Sequence, residues 1–114
     1  YYVADLGVLH AGGTPVSLYN TLAPEQIEYI VNHCEARYLI LGDATFYEQR
    51  IRPIRDRIPG VRRIVVIAGA GTVTDEPRVC AWADLLAAGE AAGEAGAAEV
   101  ERRWRAVQPA DLAT

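Results

Sequence analysis

Tyr38-Leu39-Ile40-Leu41 and Ile64-Val65-Val66-Ile67 are the two stretches that decide the fold. Neither run contains a charged or strongly polar residue. A strand with one wet face alternates apolar and polar positions. An uninterrupted run predicts a strand covered on both faces, as in a parallel sheet between helical layers. Between the runs, Gly42-Asp43 supplies a turn and a helix N-cap. Tyr47, Ile51, Ile54 and Ile58 then recur at helical spacing, with Pro53 set to disturb the middle and Pro59-Gly60 to end the segment. Strand, helix, strand is the unit by which a crossover joins parallel strands.

Working toward the amino end, Ile27, Ile30, Val31 and Cys34 form one apolar stripe, opposite Glu25, Gln26, Glu28 and Asn32. Pro24 falls in the first turn, where its missing N–H costs nothing. Pro15-Val16-Ser17-Leu18-Tyr19 reads as a short first strand, and Tyr2, Leu6 and Leu9 mark an earlier helix stopped by Gly12-Gly13. Toward the carboxyl end the signal weakens. Residues 69–79 read as a Gly/Thr/Pro loop, and Trp82, Leu85 and Leu86 as a helical turn or two. The Ala/Gly/Glu stretch 89–98 is low-complexity, and each of its three glycines costs a helix about 1 kcal/mol relative to Ala, so a frayed helix or loop is expected. Val100, Trp104 and Val107 restore a helical stripe before Pro109, and residues 111–114 read as the start of a strand cut short. The expected class is α/β: a three-layer αβα, Rossmann-like parallel sheet, residues 1–114 forming a single subdomain with a truncated sheet.

Composition narrows the chemistry. The chain has 114 residues, a net charge of −4, no Met, and eleven Arg with no Lys at all. The absence of Met leads us to expect a chain that does not begin at its own initiator, with Tyr1 a cut point. Without Lys there is no Walker A loop and no Schiff base. The single serine, Ser17, is flanked by Pro15 and Tyr19 where a nucleophile elbow needs glycines. The net charge gives no support to nucleic-acid or anionic-membrane binding. Cys34 and Cys80, in a chain with no secretory signal or long apolar run, point to free thiols in a reducing cytoplasm.

Each suggestive cluster has a plainer structural reading. Gly69-Ala70-Gly71 follows a strand, as a dinucleotide fingerprint would, but Thr74 stands at the third glycine position and Thr72–Pro77 is no helix start. A free-standing Rossmann-type nucleotide-binding module is the alternative this loop keeps open. His10-Ala11-Gly12-Gly13 has the look of an oxyanion loop, yet reads better as a helix C-cap. His33 and Cys34 are helix neighbours about 100° apart, with Cys34 on the buried stripe and His33 wet. Two Cys and two His build no zinc site. Arg50, Arg52, Arg55, Arg57, Arg62 and Arg63, and a second group at Arg102, Arg103 and Arg105, are expected to be solvated or ion-paired rather than a phosphate- or nucleic-acid-binding patch. Glu25 and Glu28 lie on an exposed face, with no sign of desolvation that would suit acid–base work. Ligands in open parallel sheets lie beyond the carboxyl ends of the strands, which singles out Tyr19-Asn20-Thr21 and Gly42-Asp43 by position.

The order and spelling of several segments resemble a known family. Gly12-Gly13-Thr14-Pro15-Val16-Ser17-Leu18-Tyr19-Asn20-Thr21-Leu22-Ala23-Pro24-Glu25-Gln26-Ile27 is similar to a hallmark stretch of the AMP-forming acyl-CoA synthetases of the adenylate-forming superfamily, in particular the long-chain fatty acid–CoA ligase branch. Cys34-Glu35-Ala36-Arg37-Tyr38-Leu39-Ile40 and Val107-Gln108-Pro109-Ala110-Asp111-Leu112-Ala113-Thr114 fit the same family, the latter as the lead into its phosphate-binding loop. The resemblance covers nearly the whole chain. It implies a parent enzyme that uses ATP, magnesium and coenzyme A to turn a fatty acid into an acyl-adenylate and then an acyl-CoA. The family's phosphate loop, adenine motif, ribose-binding aspartate and catalytic lysine map to no residue here. No catalytic, cofactor-binding or metal residue is therefore carried over. The fragment is expected to be inactive and to bind no cofactor, its partner being the rest of its own N-terminal domain.

Overall fold

The computed structural model describes residues 1–112, which fall into two compact units: Leu18–Ala87, and Tyr1–Ser17 with the segment from Ala88 onward.

The larger unit holds a three-stranded, wholly parallel sheet in the order β1-β2-β3, with β1 Tyr38–Asp43, β2 Arg63–Ala68 and β3 Val79–Ala81. Leu39 pairs with Ile64, Ile40 with Val65 and Leu41 with Val66, so the two decisive runs lie side by side and point the same way. The core forms on one face of the sheet. Leu39, Leu41, Ile64 and Val66 meet Ile27 and Val31 of the helix Pro24–His33, and Tyr47, Ile51, Ile54 and Ile58 of the segment between β1 and β2. That segment changes pitch as Pro53 requires. A single turn at Ala44–Phe46 passes into a π-helical stretch, Tyr47–Ile51, and then a 3₁₀ stretch, Arg52–Arg57. All four stripe residues stay buried through the change.

Burial on the second face differs between the strands. In β2, Ile64, Val65 and Val66 are all buried, as an apolar run predicts. In β1 only Leu39 and Leu41 are, while Tyr38 is 64% exposed and Ile40 36%. The central strand is thus β2, and β1 is an edge with one open face among the described residues.

Three other expectations need correction. Pro15–Tyr19 is irregular chain, because an extended segment becomes a strand only when a neighbour accepts its ladder, and none does among the described residues. The third strand is instead Val79–Ala81, too short to carry a period. Cys34 is exposed: it is the C-cap of its helix, one residue past the point where the stripe stays inward.

The helix Pro24–His33 starts and stops by side-chain and backbone capping. Gln26 Oε1 accepts from the Ala23 N–H at 2.9 Å. At the far end the Ala36 N–H donates to Val31 O and the Glu35 N–H to Asn32 O, with Glu35 at φ +54°. This is a Schellman motif with a glutamate where glycine is usual.

β2 and β3 are joined without an α-helix. After Gly69 (φ +76°) and a 3₁₀ turn, Ala70–Thr72, the chain runs as an irregular strap to Arg78. Val73 anchors the strap in the core.

In the smaller unit the helix Tyr2–His10 packs against Gly93–Ala106. Gly12 and Gly13 close the first of these with the same Schellman pattern, through bonds to Leu9 O and Val8 O, and Gly12 takes φ +74°. A Cβ on Gly12 would come within 3.4 Å of Arg103 Cβ. Thr14 Oγ1 donates to Leu112 O at 3.0 Å. The low-complexity stretch is helical on both sides of a break at Ala92-Gly93 (Trp82–Ala91, then Gly93–Ala106) rather than frayed, with Gly93 at φ +54°. Asp111 and Leu112 form a bend and irregular chain, and the rest of the strand expected at 111–114 lies outside the described residues.

Candidate functional site

Parallel strands send their carboxyl ends to one edge, and here Asp43 of β1 and Ala68 of β2 are level in register. Asp43 Oδ1 accepts the Phe46 N–H at 2.7 Å, so its side chain caps the following turn. Gly69 leaves β2 in the left-handed region, and a Cβ there would sit 3.3 Å from Ala44 Cβ. Thr72 Oγ1 donates back to Gly69 O at 2.8 Å. The edge is closed by its own chain. The Gly69-Ala70-Gly71 loop meets no α-helix, and residues 73–78 are irregular, so the geometry a dinucleotide fingerprint needs is missing and the Rossmann-module alternative falls. Tyr19, Asn20 and Thr21 are exposed, held by flanking Leu18 and Leu22 against the core.

The arginines are largely occupied. Arg52 pairs with Glu48 and with Asp75, Arg55 with the same Asp75 carboxylate at 3.0 Å, and Arg57 with Glu28 at 3.2 Å. Two guanidinium groups hold the Asp75 carboxyl down at about 2. Arg102 and Arg103 share Glu99, and Arg105 takes Glu101. Arg37, Arg50, Arg62 and Arg63 have no ion-pair partner among the described residues.

His33 stacks on Tyr29 with ring centroids 5.6 Å apart, while the Cys34 thiol donates to Val31 O at 3.7 Å, so the two neighbours face different partners. His10 Nδ1 lies 2.7 Å from Leu6 O within its own helix. Cys34 and Cys80 are both free thiols.

The most elaborate polar arrangement was invisible in the sequence. Glu76 is 7% exposed and chelates Arg78: Nε to Oε1 and Nη2 to Oε2, each at 2.8 Å, with the Arg78 backbone N–H also on Oε1. The rest of the guanidinium reaches the carbonyls of Arg55 at 2.9 Å and Ile58 at 3.3 Å. Arg78 thereby satisfies the last carbonyls of the helical segment and fixes the strap beneath it. Its guanidinium holds the Glu76 carboxyl below the usual range. Beside this staple, Tyr47 is wholly buried and its hydroxyl has no well-formed hydrogen bond among the described residues; burial pushes its phenol upward, against the opposing Arg55 charge. The signal that could have found the staple is Glu76-Pro77-Arg78 in the 69–79 loop, which composition does not distinguish from solvated charge.

A groove of about 400 Å³ lies at the opposite, amino end of the sheet, lined by Asn32, Glu35, Arg37 and Arg62 with apolar walls from Val31, Ala36 and Pro59.

The model of the AMP-binding enzyme family matches residues 1–114, the whole chain. The chain belongs to that family. Two relatives are long-chain-fatty-acid–CoA ligases named ACSBG2: that of Gallus gallus is 28% identical over 79% of this chain and 12% of its own length, that of Xenopus laevis 29% identical over 57% and 9%. An uncharacterized protein of Mycobacterium tuberculosis is 33% identical over 61% of this chain and 37% of its own. The chain therefore spans about an eighth or less of the length of the named ligases. No solved structure matches. In this AMP-binding family member Gly12-Gly13 closes one helix and Gln26 opens another.

Proposed function

We propose that this chain is a structural part of the N-terminal domain of an ATP-dependent, AMP-forming fatty acid–CoA ligase, working in the cytoplasm. The family match over the whole chain carries the reading. The ligase relatives by name and the parallel sheet with its helical cover support it. In such an enzyme a fatty carboxylate oxygen attacks the α-phosphorus of ATP and expels pyrophosphate. The coenzyme A thiol then displaces AMP from the acyl-adenylate to give the thioester. This chain's contribution is scaffolding: it buries one flank of the sheet and fixes the edge from which neighbouring segments are presented. Among the described residues no three His, Cys, Asp or Glu side chains converge, and we assign no magnesium ligand to this chain. Its partners are the rest of its own domain together with the fatty acid, ATP and CoA of the parent, with no nucleic acid among them. No helix is long and apolar enough to cross a membrane among the described residues.

Isothermal calorimetry of residues 1–114 with ATP tests the scaffold reading. No measurable heat is expected, and micromolar binding would contradict it. Pyrophosphate release by the full-length protein, dependent on both a long-chain fatty acid and ATP, tests the parent activity; its absence across chain lengths would overturn that part.

A further inference from the structure

We propose that the groove at the amino end of the sheet binds a phosphomonoester through Arg37 and Arg62. The two residues precede the first rung of the β1–β2 ladder, where Tyr38 pairs with Arg63, and the Arg62 N–H donates to Arg37 O at 2.7 Å. Pairing therefore sets them side by side at one end of the sheet, and both line the same groove. Like charges placed next to each other across strands are unfavourable unless something neutralises them. Seven other arginines do find a carboxylate: 52, 55, 57, 78, 102, 103 and 105. These two, like Arg50 and Arg63, find none among the described residues, although Glu35 lines the same groove.

Guanidinium forks match the oxygen spacing of a phosphate, which accepts two parallel bonds from each. The groove also exceeds what a bare phosphate needs. At about 400 Å³ it stands near the small end of small-molecule sites, and Val31, Ala36 and Pro59 give it apolar walls. A phosphate carrying a small organic group uses both features. The Asn32 side-chain N–H₂ donates to Arg57 O at 2.9 Å, leaving its carbonyl oxygen as an acceptor for that group. Glu35, held in place by the Schellman turn, opposes the anion and keeps the affinity modest.

The test is an amide-resolved NMR titration of the full-length protein with phenyl phosphate at constant ionic strength, with inorganic phosphate as comparator. Saturable shifts are expected at Arg37, Gly60 and Arg62. Arg37→Gln and Arg62→Gln should each weaken binding roughly tenfold, the value of one charge-assisted hydrogen bond. Glu35→Gln should tighten it. All three side chains are on the surface, so unchanged melting temperatures verify that the variants fold. An unchanged Kd in either arginine variant overturns the proposal, as do shifts that never saturate. Equal affinity for inorganic phosphate would mark a site for the free ion and overturn the ester assignment.

Discussion

Replacing Arg78 with Met removes the fastener between the β2–β3 strap and the helical segment while keeping most of the side-chain bulk. The Glu76 carboxylate, 7% exposed, loses both guanidinium bonds, and the carbonyls of Arg55 and Ile58 lose their donors. Breaking a buried pair by deleting one partner costs about 3–5 kcal/mol. Arg78 keeps some contact with solvent at 22% side-chain exposure, which places the cost at the lower end, about 3 kcal/mol. At roughly 4 °C per kcal/mol for a domain of this size, the melting temperature should fall by about 12 °C. Circular dichroism at neutral pH reads it directly. Adding Glu76→Gln to the variant should restore part of the loss, since the stranded charge is then gone. The pH dependence has a definite sign. The folded-state Glu76 pKa is depressed, so its contribution is complete above the unfolded value, roughly 4.3, and disappears as pH falls through the lower folded value. The Arg78→Met variant should accordingly show a shallower acid transition than the parent. A fall of under 2 °C, or no gain from the second substitution, would refute the role assigned to the pair.

Three further outcomes follow from the geometry. Ile64→Asp, on the central strand, should abolish cooperative melting, whereas Ile40→Asp, 36% exposed at the edge, should leave a folded protein; equal damage by circular dichroism would invalidate the strand order. Glu35→Gly should stabilise the larger unit by about 1 kcal/mol in urea unfolding, because glycine occupies φ +54° without a Cβ penalty, and a loss of stability would show the carboxylate does something the backbone does not. The Asp75 carboxyl should titrate near 2 by NMR and move up toward the ordinary aspartate range in Arg52→Gln; a normal titration in the parent would mean the guanidinium contacts are not kept in solution.

The sheet was legible because β1 and β2 are spelled as apolar runs, and the stripe at 47, 51, 54 and 58 because it survives the pitch change at Pro53. The same runs misled in one respect. An apolar run does not say which of its residues lies on an open face, so Ile40 reads as buried although it is 36% exposed. Val79–Ala81 escaped notice since three residues cannot display a period, and Pro15–Tyr19 was over-read because extended propensity is no guarantee of a ladder partner. The arginine cluster was taken as solvated or ion-paired, and Arg52, Arg55 and Arg57 are paired while Arg50, Arg62 and Arg63 are not, among the described residues. Its partner Asp75 lies 20 residues and more away in the chain, beyond what local spacing reveals. The glycine loop after β2 was read as a plain turn because no helix start is spelled at Thr72–Pro77, and the chain there is a 3₁₀ turn followed by irregular chain.

The helix-free link between β2 and β3 bears on how the chain can change over generations. Connecting segments ordinarily absorb insertions at little cost. Here Val73, Asp75 and Arg78 each engage a different fixed point within six residues, so one extra residue would pull at least one of them off its mark. The strap is therefore expected to tolerate substitution more readily than insertion.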